Sequence, residues 1–163
     1  MLARLALLIL ALGVPASAGE KVAFFGLTYL DDSLQSAELG QDPAELARLD
    51  ALAAMVRERF VAQGYDMVDL APVQGKLDGV TNPAKCYGCD TRMAVQLGAD
   101  YSLVGEVQKV SNLILSMNLQ MRDAATGTMV KGRVVDIRSN TDESWRRGMD
   151  YILRTAFFKE EEE

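Results

Sequence analysis

The two cysteines of this chain lie three residues apart, in the segment KCYGCD (residues 85–90). A Cys-x-x-Cys pair is compatible with a structural disulfide, a redox-active dithiol or half of a metal site. The chain has no histidine, which excludes Ser-His-Asp and Cys-His catalysis, histidine-ligated haem and zinc sites with histidine ligands from this chain. Two cysteines do not complete a Cys₄ zinc site. We therefore predict no metal and no cofactor.

Cys86 and Cys89 leave three interpretations open: a local disulfide, a redox pair, and metal or cofactor attachment, which for zinc would need ligands from a second chain. A local disulfide would fix the shape of the loop, and it is the interpretation that we favour if the chain is exported to an oxidising compartment. A redox pair is the main alternative, because a helix N-terminus and the neighbouring Lys85 would both favour a thiolate. The pair does not directly follow a strand, as a thioredoxin-like motif does. Covalent haem attachment needs a histidine where this chain has Asp90.

The segment of residues 1–18 predicts export. Arg4 provides a positive charge, residues 5–14 form an apolar run, and Ala-Ser-Ala at residues 16–18 is typical of a signal-peptide cleavage site. The apolar run is roughly ten residues long, whereas a membrane-spanning helix needs about 20. We expect cleavage before Gly19, a periplasmic location in a Gram-negative bacterium and no stable membrane insertion afterwards.

The charge balance argues against nucleic-acid binding. The formal net charge is −6, and an acidic chain has no general attraction for phosphate backbones. Four of the acids form the run Glu160–Glu163, which is typical of a solvated tail. We predict a signal peptide over residues 1–18, one domain over residues 19–158 and an acidic tail over residues 159–163.

The first half of the domain predicts a strand–helix–strand unit. Residues 21–30 are apolar on both faces, which is typical of a central strand. Asp42 and Pro43 then predict a helix start, where Glu45 would complete a capping box, and Gly64 predicts its end. A short strand follows at residues 65–70. Residues 71–88 form a long connection, and residues 90–98 predict a two-turn helix.

The second half predicts three antiparallel strands and a closing helix. Residues 101–110 and 113–122 alternate between apolar and polar side chains. Residues 128–138 form the third strand, with a bulge expected at Val134-Val135. Thr141 or Asn140 would cap the last helix. The order of elements predicts an α/β fold (an α+β sandwich) with a mixed sheet of about five strands packed by about three helices.

A sequence pattern adds a resemblance. The run LGADYSLVGEVQKVSNLILSMNLQMRDAATGTMV (residues 97–130) resembles the amino-terminal domain of TolB and the related CsgG family. With KCYGCD before it and DIRSNTDESWRRG (residues 136–148) after it, it resembles more closely a family of secreted proteobacterial proteins of unknown function. The resemblance implies a fold like the TolB amino-terminal domain and a periplasmic domain that binds other proteins.

Two segments are candidates for a contact surface. Trp145 beside Arg146 and Arg147 has the composition of a binding hot spot, although helical spacing favours Trp145 in the core. Lys85 and Tyr87 are the candidates in the cysteine loop.

We predict a non-enzymatic periplasmic accessory protein with a protein partner, bound at the sheet edge and the loop of residues 71–88. The alternatives are a thiol–disulfide oxidoreductase using Cys86 and Cys89, and a small-molecule carrier with an apolar pocket. For the accessory protein, we predict no catalytic residue.

Overall fold

The computed structural model describes residues 19–159, so the predicted signal peptide and the four terminal glutamates lie outside the described residues. The strands are β1 (Lys21–Asp31), β2 (Asp66–Met67), β3 (Tyr101–Ser111), β4 (Ile114–Asp123) and β5 (Met129–Arg138). The α-helices are α1 (Leu34–Leu39), α2 (Pro43–Ala62), α3 (Gln74–Leu77), α4 (Cys89–Gln96) and α5 (Asp142–Ile152). Two 3₁₀ turns (Ala71–Val73 and Pro83–Lys85) flank α3, and a π-helical turn (Leu153–Phe157) follows α5.

The five strands form one mixed sheet in the order β2-β1-β3-β4-β5. β1 pairs in parallel with both β2 and β3, whereas β3, β4 and β5 form an antiparallel meander. The parallel strands need crossover connections, which α2 and α4 provide, while tight turns suffice for the meander. The predicted fold class is confirmed.

Helices cover the two faces of the sheet unequally. On the first face, called the α2/α5 face, α2 and α5 enclose the larger core around Phe24, Phe60, Leu103 and Trp145. On the opposite face, called the α4 face, a smaller core contains Ala23, Phe25, Met93 and Val104. The alternation of side chains along β1 and β3 divides them between the two cores.

A β-bulge in β1 sets which of its side chains reach the α2/α5 face. Phe24 pairs with Leu103 and Leu27 with Gly105, so that β1 carries one more residue than β3 in this interval. Gly26 lies in the bulge with φ +88°, a conformation that favours glycine. Because of the additional residue, Tyr29 and Asp31 share a face with Phe24.

The structure corrects the predicted details at three places. There are five α-helices instead of about three, because α1 and α3 are short segments that the sequence analysis assigned to loops. The bulge in β5 is at Val130, where the register passes from Met121–Lys131 to Arg122–Met129, and not at Val134-Val135. On α2, helical spacing predicts that Leu46 shares a buried stripe with Val56 and Phe60, but Leu46 is exposed and Leu52 joins these two residues in the core.

Candidate protein-interaction site

Strand β5 forms a long edge of the sheet. It pairs only with β4 within the described residues, whereas the opposite edge, β2, is two residues long. The Ser139 N–H donates to the Leu113 carbonyl oxygen at 3.1 Å. Bonded and non-bonded pairs alternate in an antiparallel ladder, so the backbone groups of Gly132, Val134 and Asp136 point away from β4. Val134 is 60% exposed.

A groove of about 770 Å³ runs between β5 and α5. Five arginines line it, together with three acids, Asp136, Glu143 and Asp150. The arginines are Arg133, Arg138, Arg146, Arg147 and Arg154. The groove therefore carries a cationic excess on a chain whose formal net charge is −6. We call this feature the arginine groove.

Two arginines of the groove, Arg147 and Arg154, are loosely paired, whereas Arg146 forms a closer ion pair with Glu143 at 3.1 Å. The Arg147 Nε atom lies 4.0 Å from Glu143, and the Arg154 Nε atom lies 3.9 Å from Asp150. Their side chains are 74% and 55% exposed. Exposed pairs of this kind contribute about 0–1 kcal/mol. An incoming anionic group could therefore displace the acidic partners of Arg147 and Arg154 with little loss of free energy.

The floor of the groove is closely packed. At Gly148 an added Cβ atom would lie 2.6 Å from Ile137 Cγ2 and 3.0 Å from Met117 Sδ. The missing side chain therefore lets α5 approach the sheet closely. A capping box between Thr141 and Ser144 fixes the start of the same helix, as the sequence predicted for Thr141. The close approach at Gly148 and the capping box therefore fix the position of α5 relative to the sheet.

The cysteine loop lies on the α4 face. Cys86 and Cys89 form a disulfide with an S–S distance of 1.96 Å, as we had favoured. Tyr87, between them, has φ +54° and is 98% exposed. The Lys85 Nζ atom lies 3.0 Å from Glu106 Oε1 in an ion pair. Both candidate residues of this loop are therefore at the surface.

Beneath the loop lies a buried carboxylate. Asp90, the second residue of α4, accepts hydrogen bonds from Ser102 Oγ at 2.8 Å and from Arg122 Nη1 at 3.0 Å. Its Oδ1 atom lies 4.0 Å from Cys86 Sγ. A negative charge at this distance opposes formation of a Cys86 thiolate, against the effect of the helix N-terminus.

A second charged cluster is buried at the other end of the sheet, where β1 and β3 end. The Lys109 Nζ atom lies 2.7 Å from Glu45 Oε1 and 3.5 Å from Asp31 Oδ2. Tyr29 Oη donates to Glu45 Oε2 at 2.6 Å, and the Asn140 amide donates to the same carboxylate. We call these five residues the Lys109 cluster. A polar pocket of about 540 Å³ opens beside it.

The Lys109 cluster favours the charged forms of Lys109 and Asp31 and the neutral form of Tyr29. Burial alone would lower the pKa of Lys109, but the hydrogen bond and charge of Glu45 and the charge of Asp31 outweigh it and raise this pKa. Burial alone would raise the pKa of Asp31, but hydrogen bonds from Ser33 and Ser36 and the charge of Lys109 lower it to about 2. Burial, then the hydrogen bond and charge of Glu45, raise the pKa of Tyr29.

Glu45 is a residue whose role the sequence analysis missed. We predicted that it completes a capping box at the start of α2. The structure shows that Asp42 caps the helix alone, by accepting from the Ala44 N–H at 2.9 Å, while Glu45 turns inward to Lys109. A signal for this role was present in β3, because Lys109 continues the buried alternation of Leu103 and Val107.

The structure separates the predicted contact residues. Trp145 is 1% exposed, and its Nε1 atom donates to Asn140 Oδ1 at 2.8 Å. It therefore belongs to the core, the alternative that helical spacing favoured, and not to a surface hot spot. Arg146 and Arg147 are exposed on α5, whereas Lys85 and Tyr87 lie on the α4 face. The four exposed candidates consequently do not form one surface.

An apolar groove lies between α2 and α5. Its volume is about 570 Å³, and Ala47, Ala51, Leu52, Met55 and Trp145 contribute to its lining. Among residues 19–159, no helix is long and apolar enough to span a membrane. In the same part of the chain, no three His, Cys, Asp or Glu side chains are grouped in a way that would hold a metal ion.

Comparison with known families identifies the chain at family level. The model of DUF3280, described as a protein of unknown function (DUF2380), matches residues 20–157. The chain belongs to this family. A search of curated proteins found no match for this DUF3280 chain.

Solved structures show where else this fold occurs. The LpoB C-terminal domain from Salmonella enterica is similar with a TM-score of 0.52 and 14% identity, over 77% of this DUF3280 chain and 87% of that chain. Lipoprotein GNA1162 from Neisseria meningitidis has a TM-score of 0.50 and 17% identity, over 75% and 82%. TolB from Acinetobacter baumannii gives a TM-score of 0.39 and 11% identity, over 83% and 28%. The first two show a shared fold, and the third is too dissimilar to carry an argument.

Proposed function

We propose that this DUF3280 chain is an extracytoplasmic, non-enzymatic accessory protein that binds a protein partner at the β5 edge. The observation that carries the proposal is the ten-residue edge strand whose outward backbone groups at Gly132, Val134 and Asp136 lack a strand partner within the described residues. Natural proteins usually shorten, bulge or cover such edges, but the bulge of β5 lies at Val130 and leaves the edge from Gly132 to Asp136 in regular register. An exposed edge accepts an extended segment of another chain through main-chain hydrogen bonds.

The proposed location rests on three observations. Residues 1–18 have the pattern of a signal peptide. Cys86 and Cys89 form a disulfide, which persists in oxidising compartments. The similar structure GNA1162 is named a lipoprotein, which agrees with a role outside the cytoplasm.

Photo-crosslinking in the producing bacterium tests this function. A photoreactive amino acid at Asp136, on the edge strand, should give a discrete adduct with one envelope protein. Val134→Pro in the same chain should abolish the adduct, because it removes an outward-facing donor without removing a bond to β4. The control is the same photoreactive residue at Val95 on α4, which is 55% exposed. An adduct that persists with Val134→Pro would refute strand addition, and turnover of a substrate by the purified protein would refute the non-enzymatic role.

The oxidoreductase alternative has a direct test. We expect a reduction potential of the Cys86–Cys89 pair below about −300 mV, in the range of structural disulfides, because the Asp90 carboxylate opposes the thiolate form. Titration of the purified protein against dithiothreitol measures this potential. A value between about −120 and −200 mV would match known thiol oxidants and isomerases and would favour the enzyme.

The carrier alternative is supported by the apolar groove. Its volume of about 570 Å³ lies within the usual range of roughly 300–1,000 Å³ for ligand pockets. Trp145 is the single tryptophan of the chain, so quenching of its fluorescence by a brominated fatty acid reports occupancy. Quenching that disappears in Ala51→Phe, which fills the groove, would support a carrier. Equal quenching in both proteins would contradict it.

A further inference from the structure

We propose that the segment bound at the β5 edge is acidic, with carboxylates at alternate positions that face α5. The inference rests on the proposed function, because it assumes that an extended segment lies beside β5. It goes further in naming the chemistry of the partner. The arginine groove lies next to the outward side of β5, so it borders the place that an added strand would take.

The spacing of the groove fits an alternating segment. Arg147, Tyr151 and Arg154 follow each other at i, i+4 and i+7 and lie along one side of the helical segment. All three line the groove. Seven residues of helix extend about 10 Å, and side chains on one face of a strand recur about every 6.7 Å. Two to three carboxylates on one face of an added strand would therefore lie alongside Arg147 and Arg154.

Within the described residues, Arg146 pairs closely with Glu143 at 3.1 Å, whereas Arg147 and Arg154 have only distant acidic partners. The ion pairs of Arg147 and Arg154 are at the distance limit of a salt bridge. Arg133 donates to Tyr151 Oη at 2.9 Å and lies over its ring, a contact that holds its guanidinium group beside the groove. An arginine forms its strongest hydrogen bonds with carboxylates, often in bidentate geometry. The incoming acids would thus replace weak pairs with stronger ones.

The opposite face of the same edge favours a different side-chain type. Val134 and Asn118 are cross-strand neighbours on the α4 face, where Val134 is exposed. An added strand would place its other alternate residues beside Val134. Residues of β-propensity, such as threonine and valine, fit this surface. The segment that the structure assigns to this edge therefore alternates glutamate or aspartate with threonine or valine.

Two labelled peptides test the inference with the full chain. In the acidic peptide, three glutamates alternate with four threonines between terminal glycines. In the neutral peptide, glutamines replace the glutamates. Fluorescence anisotropy should show that the acidic peptide binds at least about tenfold more tightly at low salt. The difference should shrink as salt rises, because the Debye length falls from about 10 Å at 0.1 M to about 3 Å at 1 M.

Variants show which groups cause the difference. Arg147→Gln with Arg154→Gln should bring the acidic peptide to the affinity of the neutral one. The matched control, Lys76→Gln with Arg92→Gln, removes two exposed cations on the opposite side of the sheet and should leave the difference unchanged. Equal loss in both double variants would overturn the inference, since a general charge effect would then explain it.

Val134→Pro separates this inference from the proposed function. We expect it to abolish binding of both peptides. If both peptides bind equally well and Val134→Pro abolishes both, strand addition stands and the acidic partner is refuted. If the acidic peptide is preferred and Val134→Pro has no effect, strand addition fails and this inference fails with it. If neutralising residues 160–163 to glutamine strengthens binding of the acidic peptide more than about tenfold, the chain's own tail occupies the groove, which would also overturn the inference.

Discussion

Lys109 and Arg147 are both cationic residues with acidic neighbours, yet their surroundings differ in every physical respect. Lys109 is 2% exposed and lies 2.7 Å from one carboxylate and 3.5 Å from another. Arg147 is 74% exposed and lies 4.0 Å from its acid. The first charge is enclosed in a network in which every buried polar side-chain atom of the described residues has a partner. Arg147, by contrast, has only the long ion pair with Glu143 within the described residues.

This difference indicates that the charge of Lys109 stabilises the fold, whereas the charge of Arg147 is available for binding. Buried charges are retained only when partners replace the lost water, and removing one partner leaves the others without compensation. The Lys109 cluster therefore joins β1, β3 and α2 at one end of the sheet. Exposed and weakly paired charges contribute little to stability. The arginine groove is thus free to exchange its partners, which is what a binding surface requires.

The largest effect that we predict is the loss of Lys109. Lys109→Met removes the single cation between Glu45 and Asp31 and should lower the free energy of unfolding by about 3–5 kcal/mol. Urea denaturation followed by circular dichroism measures the change. The double variant Lys109→Met with Glu45→Gln should lose less, because one of the two uncompensated charges is gone. A loss below about 1 kcal/mol in the single variant, the size of an ordinary surface effect, would show that the cluster is not structural.

A smaller effect should appear as a dependence of stability on pH. The pKa of Asp31 is lowered in the folded protein to about 2, whereas a free aspartate has a pKa of about 3.9. Its contribution is therefore complete above about pH 5 and is lost as the pH falls through 2, and it amounts to about 2–3 kcal/mol. Subtracting the stability curve of Asp31→Asn from that of the original protein isolates this term. A difference that stays constant from pH 5 to pH 2 would contradict the assignment.

The two charged regions were not equally visible in the sequence. The core alternation of β3 and β4 and the burial of Trp145 follow from local periodicity, and the caps at Asp42 and Thr141 follow from their residue types, so the sequence was sufficient to predict them. Lys109 continues the buried alternation of β3, and this position indicates that its charge needs a buried partner. The partner itself was not predictable, because Glu45 belongs to a distant helix, α2, and fits a capping box equally well.

The binding region depends on contacts that local patterns do not encode. That β5 lies at the edge follows from the strand order, which depends on how the whole chain packs. The bulge at Gly26 brings Tyr29 and Asp31 to the α2/α5 face, and a single glycine in a strand does not specify that shift. The helices α1 and α3 are too short to show a hydrophobic period. Long-range packing therefore determines these features, which local sequence patterns do not predict.

The smallest effect that we predict concerns the stability of the arginine groove. Arg147→Gln with Arg154→Gln should change the free energy of unfolding by less than about 0.5 kcal/mol, because exposed and distant ion pairs contribute little. The same urea titration that detects the Lys109 variant provides the measurement. The double arginine variant should keep its stability while it loses the preference for the acidic peptide. If its stability instead fell by more than about 2 kcal/mol, well beyond what exposed ion pairs contribute, the arginines would hold α5 to the sheet, and both charged regions would have the same structural role.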